Sequence, residues 1–361
     1  MSINLNNDKI KILICDDNRT FRRILGMTIK KYPEFDIIGE AGNGTEASEL
    51  IEKLSPDVVL LDIEMPEKNG IDVLKDLKKI SLKSPCQIIV ISASNNNEHN
   101  ADITLTCLAE GAFDFIKKPV SSSFQDNISE LENLLITRIR LAHSKNLLKT
   151  KIITGHIEFP AKKAERIFNK PINLIAIGIS TGGPIALETI VKNLPEDFPA
   201  PVVIIQHMPA NFTLSLAKRL NKLTALQAQE LKENMPLKKG NIYIAPGAKH
   251  TILRKSPLNN QFFFSYKDIP PVNHCKPSVD VFFNSLANHY NNDMIFIIMT
   301  GMGNDGLEGL KNLKEKDAYI IAQDEATSAV WGMPGSAVEA GIVNEVLPLD
   351  KISSRLVQLC N

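Results

Sequence analysis

The chain has 361 residues, with 41 Lys and Arg against 41 Asp and Glu, and 43% of it is hydrophobic. This length suits two domains that each bury a core, and a formal charge of zero offers no basic excess to recruit nucleic acid or an anionic membrane. No apolar run approaches the roughly 18–20 residues of a membrane span, and the start, MSINLNNDKIK, lacks the apolar core of a signal peptide. A cytoplasmic protein without direct membrane insertion is expected. Five scattered cysteines (Cys15, Cys86, Cys107, Cys275 and Cys360) show no CxxC spacing and read as free thiols of a reducing compartment, not as metal ligands.

From Met1 to about Ser144, five apolar strand patterns (KILICDD, FDIIGEAG, DVVLLDIEMP, CQIIVISAS and FDFIKKP) alternate with helical ones. Such alternation predicts an α/β domain with a parallel sheet and helices on both faces. Function in such sheets gathers at the C-terminal strand ends. Those ends carry Asp16 and Asp17, then Asp62, then Ser92, then Lys118 before Pro119. Three neighbouring carboxylates repel one another unless a hard cation sits among them, and Mg²⁺ suits an all-oxygen set. A lysine beside them would hold the charge of an incoming phosphoryl group. The set resembles the receiver domain of two-component response regulators, through Asp16-Asp17, LLDIEMPEKNG around Asp62, Ser92, Phe115 and Lys118-Pro119. The resemblance implies phosphoryl transfer from a histidine kinase to Asp62, with Mg²⁺ held by Asp16, Asp17 and Asp62. It makes Ser92, Phe115 and Lys118 the switch residues.

Ser121-Ser122-Ser123 opens a last helical stretch with an apolar stripe of Ile128, Leu131, Leu134, Leu135 and Ile139. Residues 145–171 lose this periodicity and are rich in Lys and Arg, with Glu158 and Glu165 as the acidic exceptions. They read as a solvated linker, contact with an acidic partner or with the inter-domain cleft being the less favoured alternative.

The second domain, residues 172–361, centres on NLIAIGISTGGPIALETIVKNL. Leu174 to Ile177 predict a buried strand, and Leu187, Ile190, Val191 and Leu194 follow at helical spacing. Gly178-x-Ser180-x-Gly182 therefore lies on a sharp strand-to-helix turn, with Pro184 at the helix start. A serine needs an imidazole within reach to become a nucleophile. A second strand, Pro201 to Ile205, ends at Gln206-His207-Met208-Pro209, and a third, Met294 to Met299, runs into TGMGNDG. Three strand ends thus present Ser180, His207 and Asp305: a nucleophile, a base and an acid to orient the base. The chain order Ser, His, Asp argues against the α/β-hydrolase fold, in which the acid precedes the histidine.

A rival reading exists. Gly301-x-Gly303-x-x-Gly306 matches a dinucleotide fingerprint between strand and helix, with Asp324 after AYIIAQ. Asp305 would then stand inside a loop meant to cradle a pyrophosphate, and Ser180 and His207 would have no task. The hydrolase reading is preferred to a phospho-regulated nucleotide-binding module. A receiver joined to a DNA-binding output is disfavoured by the zero charge and the lack of a basic helix-turn-helix pattern.

The motifs IGISTGG, QHMP and TGMGNDG, with IAPGAKH, KPSVDVFF and QDEATSAVWGMP, resemble the chemotaxis-specific protein-glutamate methylesterases, the CheB family. The resemblance implies two α/β domains: a receiver of flavodoxin-like strand order (1–144) and, after the linker (145–171), a doubly wound, Rossmann-like methylesterase domain (172–361). It makes Ser180 the nucleophile, His207 the general base and Asp305 its orienting acid, with the Met302 N–H an oxyanion donor and Thr181 helping to position the imidazole. The implied activity is hydrolysis of γ-glutamyl methyl esters on chemoreceptors, with deamidation of receptor glutamines, and without a cofactor for the ester chemistry. The unphosphorylated receiver is expected to cover the cleft around Ser180. Ile179 in place of an alanine, Lys276 in place of an arginine, and the uncharged GMPGSAVEAG depart from the family's usual pattern.

Overall fold

A computed structural model describes residues 9–79, 84–92, 98–119, 124–151, 171–258, 261–290 and 293–360, and the chain divides between residues 157 and 158 into two units. The first unit runs β1 (Ile10–Cys15), α1 (Arg19–Ile29), β2 (Phe35–Ala41), α2 (Gly44–Leu54), β3 (Val58–Asp62), α3 (Gly70–Leu77), β4 (Gln87–Ser92), α4 (Glu98–Ala109), β5 (Asp114–Lys117) and α5 (Phe124–Lys151). All four strand pairings are parallel, in the order β2-β1-β3-β4-β5. This is the flavodoxin-like arrangement, whose switch point lies between β1 and β3. The strands are apolar almost throughout because helices cover both faces of a parallel sheet, and every residue of β3 is buried.

Three of the helix starts use the same device. The side chains of Asn18, Asn43 and Asn69 accept hydrogen bonds from first-turn N–H groups of α1, α2 and α3, at 2.9 Å (Thr20), 2.8 Å (Glu46) and 3.0 Å (Asp72). Each cap ends a strand-to-helix loop at a defined residue and so fixes the chain direction next to the strand ends that carry Asp16 and Asp62.

Helix α5 differs from the sequence expectation in two respects. It continues to Lys151, through residues expected to begin the linker at Lys145. The reason is polar: Asn146, 6% exposed, accepts from Gln87 Nε2 (2.8 Å) and donates to Asp57 O (3.1 Å), tying this turn to the sheet without an apolar stripe. Leu131, Leu135 and Ile139 are buried as expected, but Leu134 is 36% exposed; it lies one residue before Leu135 and so about 100° around the helix from that face. Ser121 to Ser123 and the basic stretch 152–170 lie outside the described residues, as does the Ile128 side chain.

The second unit contains β6 (Leu174–Ile179), α6 (Gly183–Lys192), β7 (Val202–Gln206), α7 (Phe212–Asn221), β8 (Gln227–Glu230), β9 (Asn241–Ile244), β10 (His250–Lys255), β11 (Phe262–Lys267), α8 (Val279–Ala287), β12 (Met294–Ile298), α9 (Leu307–Lys314), β13 (Tyr319–Gln323), α10 (Met333–Glu339), β14 (Glu345–Leu347) and α11 (Leu349–Cys360). Seven strands form a parallel sheet in the order β14-β13-β12-β6-β7-β9-β8, and β10 pairs with β11 as a separate antiparallel hairpin. The strand order reverses between β6 and β12, so the crevice beyond their C-terminal ends is where such a doubly wound sheet binds its ligands. β6 extends two residues past the apolar run Leu174 to Ile177, because Gly178 and Ile179 still pair with Ile298 and Gln206. Glycine is required at 178: a Cβ there would collide with Val279 Cγ1.

Phe282, Phe283, Phe296, Tyr243 and Phe264 are fully buried or nearly so, with Phe283 and Phe296 edge to face at 5.6 Å. Rings of this size dominate core energetics, and they seat α8 against β12, behind the crevice. Among the described residues no helix is long and apolar enough to cross a membrane.

Asn146→Ala would remove the acceptor of Gln87 Nε2 and one of the two donors on the Asp57 carbonyl, which also accepts from Gln87 N at 3.0 Å. It should lower the stability of the first unit by about 1–3 kcal/mol. Hydrogen exchange of the amides after Arg140 should accelerate selectively; unchanged protection there would refute the polar anchoring of this helix end.

Candidate functional site

In the first unit the acidic strand ends meet at the switch point. Asp16, just after β1, is fully buried; Asp62, closing β3, is 2% exposed; Asp17 stands exposed beside them. One oxygen from each lies within 4.8 Å of the others. Lys118, just past β5, brings Nζ to 2.8 Å from Asp16 Oδ2 and 2.7 Å from Asp62 Oδ2. Burial first, and the Asp16 charge second, push the Asp62 carboxyl up to about 6, against the pull of Lys118. Asp62 Oδ1 is buried and accepts no hydrogen bond among the described residues. An all-oxygen donor set with an orphaned carboxylate oxygen fits a hard divalent cation such as Mg²⁺.

Ser92 ends β4 fully buried, its Oγ 2.9 Å from Thr104 Oγ1 on α4. The single Thr104 hydroxyl proton goes to Asn100 O (2.7 Å), so Ser92 is the donor between the two hydroxyls. Phe115, on β5, is buried at 9% exposure. Asp62, Lys118 and Ser92 therefore converge at the C-terminal edge of one sheet. Thr104, which holds the hydroxyl, carried no sequence signal, since its role arises only when α4 packs on β4.

In the second unit Ser180 follows β6 and His207 follows β7. The parallel register pairs Ile179 with Gln206, which makes Ser180 and His207 cross-strand neighbours, and the His207 N–H donates to Ile179 O at 3.1 Å. The Ser180 N–H donates to Thr300 O (2.9 Å), just past β12, and Gly183 N closes the turn on Ser180 O (2.8 Å). Gln206 Nε2 donates to both Ser180 O (3.0 Å) and His207 O (3.2 Å), stitching the two strand ends together. Gly182 has φ 78°, and a Cβ there would run into Ala329. A Cβ at Gly301 would stand 2.7 Å from Ser180 Cβ. Glycine at 301 thus lets the loop after β12 pack directly on the serine.

Asp305 is the most heavily bonded group in this unit's site. At 3% exposure, its Oδ2 accepts from His207 Nε2 (2.8 Å) and Val279 N (2.6 Å). Its Oδ1 accepts from Asn273 Nδ2 (2.9 Å), Ser278 Oγ (2.8 Å) and Asp280 N (3.3 Å). Val279 and Asp280 open α8, so the carboxylate sits at the positive end of a helix dipole. Burial alone would raise its pKa; the hydrogen bond and charge of His207, with the Asn273 and Val279 donors, outweigh burial and hold it down at about 2. In return Asp280 Oδ1 accepts from Gly309 N on α9 (2.8 Å), so the two aspartates cap each other's helices.

Burial would lower the pKa of His207, but the bond to Asp305 and the contact with Cys275 overcome it and raise the imidazole to about 9. Cys275 Sγ lies 3.4 Å from Nδ1. Both ring nitrogens are therefore engaged, and no hydrogen bond joins Ser180 to His207 among the described residues. The Met302 side chain is 39% exposed, and its N–H has no acceptor among the described residues. Thr181 O accepts from Thr300 Oγ1 (2.8 Å).

The structure gives the dinucleotide reading of Gly301 to Gly306 no support, because Asp305 in this loop is a buried carboxylate bonded to His207 and the first turn of α8, and its charge would repel a pyrophosphate. Asp324 instead accepts from Thr327 N (3.0 Å) and shapes a local turn. Sequence reasoning missed Gln206, Asn273, Cys275 and Ser278 as site residues. Only KPSVDVFF, read as family support, pointed toward this loop.

Comparison with known proteins agrees with this architecture. Residues 175–356 match the family model described as CheB methylesterase, and residues 12–126 match the response regulator receiver domain. A protein-glutamate methylesterase/protein-glutamine glutaminase of Geobacillus kaustophilus is 39% identical over 353 residues, 97% of this chain and 98% of the relative. Its namesake in Thermotoga maritima is 37% identical over 353 residues, with the same coverage of 97% and 98%. The crystal structure of the Thermotoga maritima CheB methylesterase catalytic domain superposes with a TM-score of 0.51 at 40% identity, covering 53% of this chain and 100% of that one. The chain belongs to the CheB family of protein-glutamate methylesterases/protein-glutamine glutaminases, in the form that carries a response regulator receiver domain.

Proposed function

We propose that this chain is a phosphorylation-activated serine esterase of chemotaxis adaptation, acting in the cytoplasm on γ-glutamyl methyl esters of chemoreceptors and on receptor glutamines. The observation that carries the reading is the Asp305–His207 bond of 2.8 Å beside the Ser180 turn.

A carboxylate can only accept, so His207 Nε2 carries a proton and Nδ1 is the nitrogen available as base. On substrate binding, Nδ1 exchanges the Cys275 contact for the Ser180 hydroxyl; catalytic hydrogen bonds often tighten only in the complex. Ser180 Oγ then attacks the ester carbonyl while Nδ1 takes its proton. The imidazolium returns the proton to the departing group, which leaves as methanol from an ester or as ammonia from a glutamine. Water, deprotonated by the same nitrogen, releases glutamate from the acyl-enzyme. The Met302 N–H is the oxyanion donor, a role worth about 10²–10³ in rate. Thr181, beside the nucleophile, positions the imidazole.

In the receiver, Asp62 accepts the phosphoryl group from a histidine kinase, and Asp16, Asp17 and Asp62 hold Mg²⁺. Bound Mg²⁺ supplies charge neutralisation for the phosphoryl oxygens. Lys118 leaves its two carboxylate partners to pair with the new negative charge, and Ser92 turns from Thr104 toward it, with Phe115 following. The modified receiver then releases a restraint on the esterase.

Because His207 must be neutral to act as base, a raised pKa withholds activity at neutral pH and yields it as pH rises. The kcat/KM for a methyl ester should climb about tenfold per pH unit and level off near about 9. A limb that levels off near pH 6 instead would contradict the strong Asp305–His207 coupling.

Asp305→Asn should cut kcat by about 10³–10⁴ through loss of the correct tautomer, and Ser180→Ala by on the order of 10⁶. Methanol release from methylated receptor measures both, and near-normal turnover by the serine variant would refute the nucleophile assignment.

A small acyl phosphate should label the full chain only with Mg²⁺ present, and should raise its esterase rate by about 5–150-fold, the usual size of a coupling free energy. Asp62→Asn should abolish both effects. Labelling that survives in that variant would mean a different acceptor.

A further inference from the structure

Cys275 has no task in the hydrolysis above, yet its sulfur occupies the working nitrogen of the base. In the neutral imidazole, with Nε2–H held by Asp305 at 2.8 Å, Nδ1 presents its lone pair to the thiol at 3.4 Å. A thiol, a base and an acid that orients the base form the constellation that activates cysteine nucleophiles. In this structure the group seated on the base is the sulfur, not the Ser180 hydroxyl. Cys275 is half-buried on the loop between β11 and α8, next to the exposed residues Asn273 and His274, so a small reagent can reach it.

The other four thiols are in contrasting surroundings. Burial pushes Cys86, Cys107 and Cys360 up to about 12 and raises Cys15 as well, and among the described residues no hydrogen bond joins any of them to an imidazole. A metal reading of the cluster is weaker. One ligand atom each from His207, Cys275 and Asp305 lies within 4.8 Å of the others. The two Asp305 oxygens, however, already receive five donors. An ion would find only Nδ1 and Sγ, fewer than the three or four protein ligands of known zinc sites.

We propose that Cys275 is a modification site for low-molecular-weight disulfides, with His207 as the base that activates it. His207 Nδ1 takes the thiol proton as Sγ attacks one sulfur of the reagent. The reagent's S–S bond breaks, a new S–S bond forms to Cys275, and the other half leaves as a thiol after taking the proton from the imidazolium. Cys275 is oxidised and the departing half is reduced, so the step balances without a further oxidant, and excess free thiol reverses it. The mixed disulfide fills the space at Nδ1 that the serine hydroxyl needs and so stops hydrolysis. Only this last consequence rests on His207 being the esterase base.

The test exposes the full chain to glutathione disulfide and maps the products by mass spectrometry, with methyl ester hydrolysis followed in parallel. The glutathionyl group should appear on Cys275 before any other cysteine, and His207→Gln should slow its appearance by about tenfold or more, base assistance being worth at least that. In denaturant, where the imidazole no longer faces the sulfur, the preference for Cys275 should vanish; this arm needs no variant. Hydrolysis should fall in proportion to Cys275 modification and return with dithiothreitol. Cys275→Ser, measured against its own untreated rate, should lose nothing. First modification of another cysteine, an undiminished rate in a folded His207→Gln protein, or a preference that persists in denaturant would overturn the site. His207-dependent modification of Cys275 that leaves hydrolysis intact would uphold the site and instead refute His207 as the esterase base.

Discussion

The catalytic unit depends on one buried carboxylate and the five donors around it. Asp305 joins a side chain after β7, the first turn of α8 and the loop before it, segments far apart in the chain. A buried carboxylate without partners would protonate or force the structure open. With five donors and a helix N-terminus facing it, this one stays ionised and holds its neighbours in place. The tautomer of His207 follows directly, because a carboxylate on Nε2 leaves only Nδ1 with a lone pair.

The same principle produces opposite outcomes in the two units. Both place aspartates at the switch point of a parallel sheet, where strand ends diverge and leave a crevice. Asp62 faces another carboxylate and one lysine, has an oxygen without a donor, and is pushed up to about 6. Asp305 is saturated with donors and held at about 2. The first site is incomplete in its donors, whereas the second is complete as folded. The difference lies in the partners, a second carboxylate beside Asp62 against the His207 imidazole and further donors around Asp305, and not in burial, which is similar for the two.

The reciprocal helix capping by Asp305 and Asp280 adds rigidity where the chemistry needs it. Asp280 sits on α8 and caps α9, while Asp305 precedes α9 and caps α8. Displacing either helix would break bonds at both, so α8, α9 and the loop bearing Met302 act as one block against the Ser180 turn. Gln206 does the corresponding work between β6 and β7. Together these contacts set the spacing between Ser180 and His207.

Much of this was legible in the amino-acid order alone. The five strand-end residues from Asp16 to Lys118, and the trio Ser180, His207 and Asp305, could be read because each ends an apolar run, and parallel sheets collect such ends on one edge. Strand number in the receiver and its fold class followed from the same periodicity. What required the tertiary structure were contacts made by polar residues without periodic pattern. Asn146 extends α5 through two bonds to the sheet, and Asn273 and Ser278 complete the Asp305 cage. Cys275 gave no signal as a lone thiol and is brought onto His207 only by a loop some seventy residues further along the chain. Periodicity records which residues face a core, whereas a hydrogen-bond partner is chosen by distance and direction, and these exist only once the chain has closed on itself.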